Sequence, residues 1–184
     1  MTWHMPRRER AQQELKKQMT QSSNGQPGRL DNDSIIPIQA KVLSQYIKDL
    51  SFENPNIRKL LTGPSQPPNI KIEVNVQSER IEKDVYESAI LFKATAANDL
   101  GTIYVLEADY AGLFKIESIP DQALEPFLMI SGPMTLFPFL RRLIADVTRE
   151  GGFPPLLLDP IDFAALYFKR KQDLAGTIGQ KLNS

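Results

Sequence analysis

Asp49, Glu53, Glu107 and Asp109 are the acidic groups in this chain whose spacing could support shared chemistry. Asp49 and Glu53 are four residues apart, and Glu107 and Asp109 are two apart. Both pairs lie in segments whose apolar residues alternate with a period of two, and on a strand such spacings put side chains on one face. Asp49 and Glu53 would then stand about 13 Å apart along one strand. Paired carboxylates can act as general acid and base, but solvated ones keep ordinary pKa values and catalyse poorly. These four lie opposite the main apolar sets. Two readings stay open: a plain wet sheet face, or a docking surface for a partner with a basic face.

Other reactive groups are few. There is no cysteine, which excludes disulfides, zinc–thiolate sites and thiol nucleophiles. The one histidine, His4, lies in a polar leader. The chain has neither a glycine-rich phosphate loop with its lysine nor a dinucleotide fingerprint. No cofactor is expected, and the expectation is a protein that is not an enzyme. Arg141 and Arg142 could hold phosphate, although mid-helix arginines commonly serve as surface ion-pairing groups. A second kind of chemistry is apolar: Phe52, Ile57, Leu60, Leu61, Leu113, Phe114, Ile116, Phe127, Leu128, Met129 and Ile130 fall in or beside expected irregular links. They either fill an ordinary core or line a groove for apolar segments of another chain. The adaptable side chain of Met129 suits the groove.

These groups need elements to position them. The period-two pattern predicts strands over Lys41–Glu53, Ile70–Gln77, Val85–Ala96 and Thr102–Tyr110. In the first, Val42, Tyr46, Leu50 and Phe52 are expected on one face, with Leu43, Ile47, Asp49, Ser51 and Glu53 on the other. The proline-rich link Asn54–Asn69 is too long for a hairpin. The last three strands, joined by short turns, form an antiparallel meander. Gly112–Pro120 is expected to leave the sheet, and Asp121–Ser131 to form a short helix. Leu136, Leu140, Leu143 and Val147 then recur at helical spacing, with Pro138 suited to a first turn. Gly151 and Gly152 end that helix, and Pro154 and Pro155 forbid its resumption. Asp159 reads as an N-cap with Pro160 as the first residue of a last helix, and Asp162 as an acid in its first turn. Strands first and helices after predict an α+β domain with helices on one face of a sheet.

The 184 residues suit one domain, with residues 1–38 a disordered polar leader, 39–172 the folded part and 173–184 a flexible tail. The formal net charge of zero argues against a nucleic-acid partner. No apolar run approaches the ~20 residues of a membrane helix, and the leader lacks an export signal, so the cytoplasm is the default compartment.

Three stretches also resemble the SecB family of protein-export chaperones: YIKDLSFENPN (residues 46–56), DVYES (84–88) with YVLEADYAGLF (104–114), and LFPFLRRLIADVTREGGFPPLLLDPIDFAALY (136–167). The last is the most specific, and the resemblance spans residues 42–170. It implies a four-stranded antiparallel sheet of Greek-key type, which the long Asn54–Asn69 link permits. It implies a homotetramer, a dimer of dimers, that holds precursor proteins unfolded without hydrolysing nucleotide and delivers them to SecA, the export motor. It implies SecA docking at Asp49, Glu53, Val105 and Glu107. Phe52, Leu60, Leu61, Phe114 and Met129 are the candidates for client binding. Two alternatives are a SecB-like chaperone dedicated to a toxin–antitoxin pair and, more remotely, an enzyme with a carboxylate site.

Overall fold

The computed structural model describes residues 39–58 and 67–181. The expected leader, Leu60 and Leu61 lie outside the described residues. Four strands form one sheet: β1 (Gln39–Glu53), β2 (Asn69–Glu82), β3 (Val85–Asn98) and β4 (Gly101–Glu117). Their order is β1-β4-β3-β2, and every neighbouring pair is antiparallel. The meander β2–β3–β4 is the expected one, and the long link returns β1 beside β4.

The strands outrun their sequence patterns. β4 does not leave the sheet at Gly112, because β3 pairs with it to Lys115 and β1 to Glu117: Phe114 stands opposite Val42 on one side and Tyr86 on the other. Partners on both edges satisfy its backbone groups where the alternation alone gave no signal. β2 runs past Gln77 to Glu82, and the turn tightens to Lys83–Asp84, where Asp84 takes φ 59°, a conformation that aspartate tolerates.

A continuous helical rod follows, made of α1 (Asp121–Pro126), a π-helical turn (Phe127–Ser131) and α2 (Gly132–Glu150). The expected break before Leu136 is therefore absent. Pro133 takes the place in the first turn of α2 that Pro138 was expected to fill, and Pro138 lies inside the helix. Its missing N–H leaves the Met134 carbonyl without that donor; both residues are exposed, so water can reach it. The rod is long and apolar enough to cross a bilayer by length and composition. Here its apolar stripe is committed elsewhere: Leu136, Leu140 and Ile144 are fully buried with Ile90, Ala94, Leu106 and Ala108 of the sheet. The rod comes close to β3 because position 132 is glycine. A Cβ there would stand 2.9 Å from Ser88 Oγ, which donates a 2.7 Å hydrogen bond to the Leu128 carbonyl.

Gly151 and Gly152 end α2 as expected, with Gly152 at φ 86°. The chain then runs extended to α3 (Phe163–Lys181). Buried Thr148 pins this link: its hydroxyl donates to the Ile144 carbonyl (2.9 Å) and accepts the Leu156 N–H (2.9 Å). The start of α3 corrects the expectation at Asp159. The link carries Leu158 into the core and Ile161 against it, so the helix starts later. Asp162 is the cap, and its Oδ1 accepts the Ala165 N–H at 2.9 Å. α3 continues through most of the segment expected to be a tail.

Candidate functional site

One sheet face packs on the helices, and the other carries the acidic groups. Strand register lines up the second face in rows. Glu53, Val105, Thr95 and Lys71 make one row across β1, β4, β3 and β2; Ser51, Glu107, Lys93 and Glu73 make the next; Asp49, Asp109, Leu91 and Asn75 make a third. The four predicted docking residues therefore share one face across the β1·β4 seam. Glu107 sits opposite Ser51, flanked diagonally by Asp49 and Glu53, which puts all three carboxylates within reach of one partner surface. A shallow depression of about 490 Å³ opens beside them, lined in part by Asp49, Glu73, Leu91, Lys93, Glu107 and Asp109.

Asp109 belongs to this group and was absent from the predicted docking set, although its alternation with Glu107 carried the signal. It lies directly opposite Asp49. Burial pushes its carboxyl above the usual carboxylate range, and the Asp49 and Glu107 charges push the same way against the opposing pull of Lys48. Like charges directly opposite on a sheet cost stability. Asp109→Asn is therefore expected to stabilise the fold by roughly 0.5 kcal/mol. Urea denaturation at neutral pH checks this, and a lowered midpoint would contradict it.

The first strand needs a correction. β1 carries register shifts between Val42 and Ser44 and between Ile47 and Asp49. Each extra residue inverts the alternation beyond it. Tyr46, predicted to face with Leu50 and Phe52, instead reaches the acidic face, where its hydroxyl donates to Glu87 Oε2. Lys48 Nζ meets the other Glu87 oxygen at 2.6 Å. Burial pushes Glu87 up, but the hydrogen bonds from Lys48 and Tyr46 outweigh it and hold the carboxyl below its ordinary value. Burial and the bond to Glu87 push the Tyr46 hydroxyl up to about 12. Glu87 was not singled out from the sequence: an acid in a small-residue strand gives no hint of a lysine and a tyrosine brought in by a bulge.

The predicted apolar candidates do not converge. Phe52 is half-buried at the end of β1, stacked on Tyr104 (5.6 Å between centroids) and close to Phe153 (6.3 Å). Phe114 is 1% exposed and meets Phe127 edge-on, so its ring serves the core and offers no free surface. Met129 lines a cleft of about 390 Å³ between β2 and α3, with Val74, Val76, Phe163, Leu166 and Tyr167. Arg170 lies at its rim and donates to the Val76 carbonyl at 2.9 Å. Phe163 and Tyr167 line the cleft from the core, and the residues with free surface that the sequence did not single out are half-buried Leu166 and exposed Leu174 on the same helix.

The description "Preprotein translocase subunit SecB" belongs to the family model that matches residues 34–174. The protein-export protein SecB of Methylocella silvestris is 46% identical over 153 residues, 83% of this chain and 94% of the relative. That of Parvibaculum lavamentivorans is 43% identical over 151 residues, 82% of this chain and 90% of the relative. Among solved structures, a Mycobacterium tuberculosis SecB-like chaperone in complex with an antitoxin's ChAD peptide superposes with a TM-score of 0.56 at 16% identity. It covers 67% of this chain and 91% of its own. At that identity the likeness concerns the fold.

Proposed function

The chain belongs to the SecB family of protein-export chaperones, and from that premise we propose that it holds precursor proteins unfolded in the cytoplasm and hands them to the SecA motor through the acidic sheet face. The observation that carries the delivery step is the register: Asp49, Glu53, Val105, Glu107 and the added Asp109 share one face at the β1·β4 seam. That face is the one the helices leave uncovered.

Holding is a matter of mass action. A chaperone that binds the unfolded state and not the native one delays folding by its affinity and concentration. The cleft beside Met129, where Val74 and Leu166 are half-buried and Leu174 is exposed, offers generic apolar area, worth about 25 cal/mol per Å² buried. Half-buried Phe52 and Phe153, packed against buried Tyr104, offer a second aromatic patch. Neither demands a particular client sequence. Weak sites repeated in a tetramer raise avidity through effective concentration. The tetramer, a dimer of dimers, accounts for the apolar residues left on the outer surface of one chain: Leu43, Ile47 and Leu50 on edge strand β1, and Met134 and Phe139 on α2, are exposed.

Sedimentation equilibrium should give a mass near four chains at micromolar concentration. A chain beginning at Gln39 should give the same number of subunits and still retard refolding of a denatured precursor. A monomer, or a chain that leaves refolding unchanged, contradicts the proposal. A chaperone dedicated to a toxin–antitoxin pair is the weaker reading, since the SecB-like chaperone bound to the antitoxin peptide is only 16% identical to this chain.

A further inference from the structure

Glu107 stands at the centre of the docking face, and it already has a counter-ion. Lys93 Nζ lies 2.5 Å from Glu107 Oε1, and both side chains are about half-exposed. The pair is built into the register, because Lys93 is the direct cross-strand neighbour of Glu107 on β4 and of Glu73 on β2. Glu73 in turn holds Lys71 at 2.8 Å. A basic group arriving at Glu107 therefore meets an ammonium already in place. It also meets a second acceptor directly across from that ammonium, Glu73, whose Oε1 holds Lys71 and whose other carboxylate oxygen can accept a second ammonium.

On the reading that this face docks a basic partner, we propose that Lys93 is an intramolecular competitor for that partner. It neutralises Glu107 while the face is free and moves to Glu73 when a basic side chain takes its place. Three features support this. The Lys93 pair is solvent-exposed, so breaking it costs little. The displaced ammonium can share the Glu73 carboxylate with Lys71 and is half-exposed to water, so it is not left buried without a partner. The other carboxylates of the patch are differently placed: Asp49 faces Asp109, and Glu53 faces Val105. Lys93 thus weakens attraction at the centre of the patch while leaving its rim to steer approach. It sets a ceiling on affinity, which suits a chaperone that must release its motor after delivery.

The test is calorimetry of purified SecA against full-length variants. Lys93→Met should tighten binding by about threefold at low ionic strength, the scale of one exposed ion pair. The gain should shrink at high salt. In a Glu107→Val background the same change should do nothing, because the competitor then has nothing to guard. Lys115→Met is the charge control. It removes an equally exposed lysine paired with Glu117, eight residues along β4 from Glu107 and so about 27 Å away. It should leave affinity unchanged; equal tightening by both variants would mean that net charge alone acts, and would overturn the proposal. Weaker or unchanged binding in Lys93→Met, with Asp49→Ala still weakening the complex, would also overturn it while leaving the docking reading intact. If Asp49→Ala leaves SecA affinity unchanged as well, the docking reading itself falls, and the proposal with it.

Discussion

Leu140→Ala is expected to destabilise the fold by about 3 kcal/mol, the largest single effect we anticipate. Leu140 is fully buried and belongs to the one cluster that joins α2 to β3 and β4. Its neighbours one turn away on the helix, Leu136 and Ile144, are also fully buried, so collapse around a lost isobutyl group is restricted and a cavity remains. The same change should reduce client holding only through loss of folded protein. Chemical denaturation checks the stability, and refolding delay per folded molecule checks the function. A cost below about 1 kcal/mol would mean that the stripe on α2 is looser than the packing indicates.

The second large effect concerns delivery. Asp49→Ala and Glu107→Val each remove one carboxylate from the seam, and each should weaken the SecA complex by about fivefold at low salt. Combined, they should weaken it by tenfold or more, with less than full additivity because the two groups neighbour one another. Both positions lie on the wet face, away from the Leu136–Leu140–Ile144 core, so folding and client holding should stay near normal. Glu107→Val also frees Lys93 for Glu73, which limits the structural cost of losing the ion pair.

Much of this arrangement was legible in the residues. In β2, Ile70, Ile72, Val74 and Val76 alternate without a fault, and the strand forms where they predict. The Greek-key return of β1 followed from the resemblance and the length of the Asn54–Asn69 link. Asp49, Ser51 and Glu53 share one face as predicted, but Ile47, expected beside them, stands opposite Tyr110 on the other face. What escaped had physical causes. A period-two reading assumes no extra residue, and the bulges in β1 carry Tyr46 across the sheet to Glu87. The middle of β4 lacks a clean alternation because Ala111-Gly112-Leu113-Phe114 puts small or apolar residues on both faces, while pairing with β1 and β3 keeps it in the sheet. The start of α3 was misplaced because two Asp-Pro or Asp-X caps compete in LDPIDF; the burial of Leu158 favours the later one. Lys93, the residue that neutralises the patch from β3, gave no local signal. Its meaning lies in which residue stands across the ladder.

Under the proposed function, the export motor docks on the helix-free sheet face at the β1·β4 seam. The most direct measurement is isothermal calorimetry of SecA against the wild-type chain and the Asp49→Ala/Glu107→Val double variant, at low and high ionic strength. The wild-type complex should weaken as salt rises, and the double variant should be at least tenfold weaker at low salt with a flatter salt dependence. Equal affinity of the two proteins at low salt, with tetramer and client holding intact in both, would contradict it and return these carboxylates to a plain solvated surface.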